Sequence, residues 1–311
     1  MMDFVGKKRW FFLVSGILII AGIISLAIFG LRPGTDFAGG TSLTLQFSPV
    51  DGGQVDWSDF QGQLRDEMTN LGYGTAAIQN AGGGSFIIHI QEITSDEAQA
   101  LAQQIAAQFD FQVDITDYYS ASPTVGAQTA RNAGIAVIIA AVAMLFYIVW
   151  AFRRMPSPFR WGTCAVIALG HDVFIIIGIF SILGWLAGVE IDALFITGLL
   201  AVVGYSINNT VVIFDRIREN LSRHISPDFG LAVNSSIVET LGRSLNTSLT
   251  TLFVILALFL FGGATIHYFV LVLLLGVIIG TYSSICVSGQ LLVVWEKREW
   301  SALLPWTKKP A

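Results

Sequence analysis

The chain has 311 residues, 54% hydrophobic and only 13% charged, with a formal net charge of -5. Soluble globular domains carry roughly a quarter charged residues, so this composition excludes an ordinary soluble protein. The two cysteines, Cys164 and Cys286, both lie in apolar stretches; they offer no disulfide framework and read as small core residues.

Runs of about 20 apolar residues mark helices able to cross a bilayer. Six occur: Trp10–Gly30, Gly134–Phe152, Thr163–Leu186, Leu194–Phe214, Thr247–Phe261 and His267–Trp295. The fifth is short but extends backward through the polar stretch Glu239–Asn246, and the sixth is long enough to tilt or to run on beyond the membrane. The first follows Lys7, Lys8 and Arg9. It exceeds the apolar core of a secretory signal, usually about 7–15 residues, and lacks a small-x-small cleavage site, so it reads as an uncleaved anchor.

Basic residues set the orientation. Lys7, Lys8 and Arg9, then Arg153, Arg154 and Arg160, then Arg216, Arg218 and Arg223, and finally Lys297, Arg298, Lys308 and Lys309 all fall on one side of the six runs. The positive-inside rule makes that side, with both termini, cytoplasmic. The expected organisation is residues 1–31 as cytoplasmic N-terminus and first membrane helix, 32–131 as an extracytoplasmic domain, 132–296 as the five remaining helices, and 297–311 as a cytoplasmic tail.

Residues 32–131 carry twelve Asp or Glu against three Lys or Arg, a balance that argues against nucleic acid, which requires basic surface. Alternation over Ser42–Phe47 predicts a strand. Trp57–Leu71 has helical spacing with Ser58 as a possible N-cap. Thr75–Ala81 and Ser85–Glu92 predict a hairpin about Gly82-Gly83-Gly84. A second helix begins at Ser95, taken as its N-cap, with Asp96 and Glu97 in the first turn; Ala98, Leu101, Ala102, Ile105 and Phe109 form its apolar stripe. Phe111–Tyr119 is the last strand. The order β-α-β-β-α-β predicts a ferredoxin-like α+β domain. His89, alone on a strand, reads as a half-exposed residue rather than a ligand.

Polar residues inside the apolar runs are the functional signal, because they are costly in a membrane. Asn208 and Asn209 interrupt the fourth run, within GYSINNTVVIFDRIREN (Gly204–Asn220). About the Ser226-Pro227 turn, Asn209 and Arg243 lie at equal sequence separations. An antiparallel pair of helices would put them at similar depth, meeting if both face inward. Ser244, Thr247, Ser248 and Thr251 predict one polar face on the fifth helix, and Ser206, Asn209, Thr210 and Ile213 a narrower one on the fourth. Small polar residues also serve plain helix packing. His171 and Asp172 are a further polar pair; adjacent residues point about 100° apart on a helix, so no private ion pair is expected.

These pieces together resemble the SecF family, membrane components of the bacterial SecD–SecF protein-export auxiliary. GYSINNTVVIFDRIREN is similar to the family's fourth-helix signature, including Gly204, Asp215 and Arg216. GTDFAGGT (Gly34–Thr41), with Asp36, Gly39 and Gly40, resembles its motif after the first helix, and SPTVG (Ser122–Gly126) the approach to the second. HDV (His171–Val173), RSLNTSLTT (Arg243–Thr251) and GTYSS (Gly280–Ser284) complete the set. The resemblance implies a multi-pass protein of the cytoplasmic (inner) membrane, within the resistance–nodulation–division superfamily. Its implied partners are SecD, the SecYEG channel with the SecA motor, the translocating polypeptide and the lipid bilayer. No enzyme activity and no cofactor are expected, with protons as coupling ion.

In the family pattern the residue at Asn209 is an aspartate, and Arg243 matches a functional arginine. Only the acid titrates, so Asn209 resembles its permanently protonated form. Three accounts stay open: an introduced change that arrests the cycle, a natural amide with the proton carried by a partner's acid or by Asp172, or a passive scaffold for SecD. A small-molecule efflux transporter of the same superfamily is a more distant alternative.

Overall fold

A computed structural model describes residues 2–50, 55–57 and 59–300. The Ser58 cap, Lys308, Lys309 and most of the 297–311 tail lie outside the described residues.

The first membrane helix, α1 (Lys8–Phe29), is followed by a single turn, α2 (Thr35–Ala38). The outer domain then runs β1 (Gly40–Pro49), α3 (Phe60–Asn70), β2 (Ala77–Gly82), β3 (Ser85–Ile90), α4 (Ser95–Phe109) and β4 (Phe111–Ala121). The strands form an antiparallel sheet in the order β2-β3-β1-β4, the split βαβ arrangement. Its core is what alternation predicts: Leu43, Leu45, Phe47, Phe86 and Ile88 from the strands meet Leu64, Met68, Leu101 and Ile105 from the helices. The N-cap of α4 is Thr94, not Ser95. Thr94 Oγ1 accepts from the Glu97 amide, and the Glu97 carboxylate accepts from the Thr94 amide. The acid three positions on selects Thr94, because only from there do both halves of the capping box close.

Five further helices long and apolar enough to cross a membrane follow. These are α5 (Pro123–Ala151), α6 (Pro158–Ala187), α7 (Ala193–Ser222), α8 (Phe229–Phe261) and a last span of α9 (Ala264–Ser283), a π-turn (Ser284–Ser288) and α10 (Gly289–Lys297). Helix α5 begins eleven residues before the apolar run, because Pro123 opens it at the position where its missing N–H costs nothing. Helix α8 absorbs Glu239–Asn246 as a continuous helix.

Both ends of the described chain lie at one end of the bundle. Lys8 pairs with Glu299, and the Phe4 amide donates to Asn234. The outer domain sits at the other end, where Pro33 bridges Ile191 and the Gly34 amide donates to the Ile191 carbonyl.

Candidate functional site

Within the bundle, polar side chains of α6, α7, α8 and the last span converge. Two glycines permit this. A Cβ on Gly276 would overlap the Val202 side chain, and one on Gly280 would stand 3.0 Å from Ser206 Cβ. With both positions bare, α9 lies against α7, the close approach that small residues one helical turn apart allow in membranes. The π-turn then follows at once, a local widening that is frequent at functional sites, and its first residues point inward.

Asp172 is fully buried. Its Oδ2 accepts from Ser206 Oγ at 2.6 Å and from Ser283 Oγ at 2.8 Å. Its Oδ1 meets His171 Nδ1 at 2.9 Å. His171 and Asp172 therefore meet, although the sequence reading expected no private ion pair between them. The 100° between neighbours describes where the Cβ bonds leave the helix, and both side chains are long enough to swing back toward each other. The contact is not private, since the two serines share the carboxylate. His171 Nε2 is buried without a hydrogen-bond partner among the described residues; the ring stacks on Tyr282 at 6.3 Å and borders a groove lined by Phe12, Ser15 and Phe174. Thr210 and Ser284 bond to each other at 3.0 Å beside this cage.

Asn209 is also buried, and its Nδ2 donates to Ser248 Oγ at 3.4 Å. The same oxygen receives Tyr205 OH at 3.0 Å and Thr281 Oγ1 at 2.7 Å. Asn208 points the other way, into an exposed groove with Tyr147 and Gly204. The adjacent amides thus divide into one inward and one outward.

Arg243 does not meet Asn209. Its side chain is exposed and has no hydrogen bond or ion pair with any described residue. The depth argument is sound, because Asn209 lies 13 residues before the end of α7 and Arg243 14 after the start of α8. The facing argument fails. Ser244 and Ser248, one turn apart, hold the inward face, which turns Arg243 outward by about 100°. The predicted single polar face of α8 accordingly splits: Ser244 and Ser248 face in, while Arg243, Asn246, Thr247 and Thr250 form an exposed stripe.

The other motif residues have structural places. Asp36 accepts from the Ala193 amide at 2.9 Å, joining α2 to the start of α7. Gly40 has φ +119°, and a Cβ there would lie 2.4 Å from the Ile90 carbonyl oxygen; beside it, Gly39 (φ +80°) has Pro123 in the equivalent place. Only glycine suits such positions. Asp215 pairs with Arg218, and Arg216 with Glu219 and Glu239, at the end of α7 away from the outer domain. Tyr282 and Ser283 are site residues that sequence reasoning left without a role, although both lie in the GTYSS stretch, and Ser206 was read only as part of the polar face of the fourth helix.

Residues 101–298 match the family described as protein export membrane protein SecD/SecF, C-terminal, and residues 24–49 match the SecD/SecF GG motif. The chain is 41% identical to the protein translocase subunit SecF of Thermobaculum terrenum, covering all of this chain and 99% of that protein. It is 39% identical to the SecF of Anaerolinea thermophila, with the same coverage. Among solved structures it is similar to SecDF from Thermus thermophilus, a translocon-associated membrane protein, at TM-score 0.82 and 32% identity. That match covers 96% of this chain and 39% of the longer SecDF chain.

Proposed function

We infer the function of this chain from one premise: it belongs to the SecF family of protein translocase subunits. The reading is a membrane subunit, not an enzyme, that works beside a SecD half to assist translocation of polypeptides across or into the cytoplasmic membrane. The exposed stripe from Arg243 to Thr250 supports the partnership. A guanidinium on a membrane-spanning helix needs an acceptor or an aqueous cavity, and the Arg243 side chain has no hydrogen bond or ion pair with any described residue, so a second membrane subunit is its natural cover. SecYEG, SecA and the exported chain are the further partners in this reading.

The observation that carries the mechanism is Asp172. It is the buried carboxylate among the described residues of the bundle, and its two oxygens gather three donors from α6, α7 and α9. Taking up a proton removes the reason for Ser206 and Ser283 to point at one oxygen, and so loosens α6 against α7 and α9. Losing the proton draws them back. Proton passage then alternates two packings of the same helices, an equilibrium that can be passed to the outer domain. His171 belongs to the same cluster, and the residue borders the groove between α1 and α6.

In this account Asn209 does not titrate. It holds Ser248, and through it α8 and α9, while Asp172 carries the proton. The alternative of an arrested form predicts that an acid at position 209 is needed; a passive scaffold predicts no gradient response at all. Loops rich in Arg and Lys lie at the end of the bundle opposite the outer domain, which supports cytoplasmic termini and an extracytoplasmic 32–131.

The test is export into inverted membrane vesicles depleted of endogenous SecF, with this chain added back, with and without a proton gradient. Gradient-dependent stimulation supports the reading. Stimulation that ignores the gradient leaves the scaffold.

A further inference from the structure

The sheet of the outer domain covers one face with α3 and α4. Its other face lies over the outer end of the bundle and closes a cleft of about 200 Å³ against the α6–α7 loop and the start of α9. Two side chains oppose each other there. His89 Nδ1, from β3, stands 3.7 Å from Glu190 Oε2, from the loop. Both atoms are buried, and neither has a hydrogen-bond partner among the described residues. Buried polar atoms are nearly always paired. These two orphans face each other, and one proton held between them would join them.

The chemistry is simple. An ionised carboxylate beside a neutral imidazole with its proton on Nε2 sets lone pair against lone pair. A neutral carboxyl can donate its O–H to that same Nδ1. We propose that His89 and Glu190 form a one-proton binding site in the seam, and that a proton taken from the outer compartment seats the outer domain on the bundle. The step is a single protonation: a proton from water adds to Glu190 Oε2, and the new O–H donates to His89.

The surroundings favour uptake. Asp36 on α2, Asp192 at the start of α7 and Asp117 on β4 border the same cleft, and Tyr119 reaches Asp36. Arg32 is the cation acting on Glu190. Burial, helped by Asp192 and opposed by Arg32, pushes the Glu190 carboxyl up to about 7. Burial likewise holds His89 below the ordinary imidazole value, partly offset by Asp36. Interacting groups titrate as a pair, so one transition is expected. The seam is remote from Asp172 in the fold, and this site stands without the intramembrane reading.

The test uses the full chain in lipid nanodiscs with spin labels at Gln99→Cys on α4 and Gly263→Cys at the α8–α9 turn, both exposed; Cys164 and Cys286 are buried and shielded from reagent. The label separation is followed between about pH 5.5 and 8.5, the range in which such a pair titrates. The expected result is a short, narrow distribution at low pH that lengthens with a one-proton midpoint near neutrality. Glu190→Gln, whose amide donates at every pH, stays short throughout, and His89→Phe loses the acid-induced shortening. A native distribution that does not move, or a transition unchanged in Glu190→Gln, overturns the proposal.

Discussion

Ser206 on α7 places its hydroxyl 2.6 Å from Asp172 Oδ2 on α6, the shortest contact that carboxylate makes. It joins the fourth-helix motif to the His-Asp pair of the third helix, two stretches that look unrelated in the sequence. Hydrogen bonds to a charged group are worth roughly 1.5–3 kcal/mol each. Ser206→Ala should therefore weaken the tie between α6 and α7, lowering the stability of the bundle by about that amount and reducing gradient-driven export. Ser283→Ala should act in the same direction. Thermal unfolding and gradient-driven export in vesicles check both, and variants that match the unaltered chain in both measurements would count against the cage.

The Arg243 side chain is exposed and makes no hydrogen bond or ion pair with any described residue, so Arg243→Gln should leave the thermal stability of the isolated protein within about 0.5 kcal/mol, as exposed substitutions do. Co-purification with SecD should fall sharply. A large loss of intrinsic stability would show instead that the guanidinium packs inside this subunit.

Gly40 is held at φ +119° against the Ile90 carbonyl. Gly40→Ala should strain the join between α2 and β1, with a backbone cost of order 1–3 kcal/mol and a further cost from the close contact. Protease cleavage between the outer domain and the bundle should become faster. Unchanged cleavage would mean the segment relaxes freely.

The capping box of α4 gives a pH signature confined to the outer domain. Hydrogen bonds from the Thr94 amide and hydroxyl hold the Glu97 carboxyl below its ordinary value. A depressed carboxyl contributes stability that is present above its unfolded value and lost as pH falls through its folded one. Thr94→Ala should cost about 1 kcal/mol at neutral pH, and the deficit should shrink in acid, below the ordinary range of a glutamate. Melting curves of the full chain, followed by the signal of Trp57 in the outer-domain core, provide the comparison.

Much of the architecture was legible because it rests on local rules. Apolar runs fix where helices can cross, and alternation in Ser42–Phe47 and Ser85–Glu92, with the glycine turn between Thr75–Ala81 and Ser85–Glu92, pointed to the order that gives the ferredoxin-like sheet. The α4 cap shifted by one residue because two adjacent hydroxyl residues compete, and the acid at Glu97 decides between them. The site was less legible. Equal spacing from a turn gave the depth of Asn209 and Arg243, but facing depends on helix rotation, which the Ser244 and Ser248 positions determine only once packed. The partners of Asp172 come from helices 34 and 111 residues away, a separation that no periodicity encodes. GTYSS gave a family resemblance, but the junction of α9 with the π-turn, where Ser283 and Ser284 are buried, has no sequence period of its own. His89 looked like an idle strand residue because its partner, Glu190, lies beyond two membrane helices.

The most direct measurement is gradient-stimulated export in SecF-depleted vesicles supplied with the chain as it stands, with Asp172→Asn, or with Asn209→Asp. A proton site at Asp172 predicts stimulation by the unaltered chain and its loss in Asp172→Asn, with Asn209→Asp not required. Stimulation that appears only with Asn209→Asp, or that survives in Asp172→Asn, would contradict the account and return the proton to position 209 or to the partner subunit.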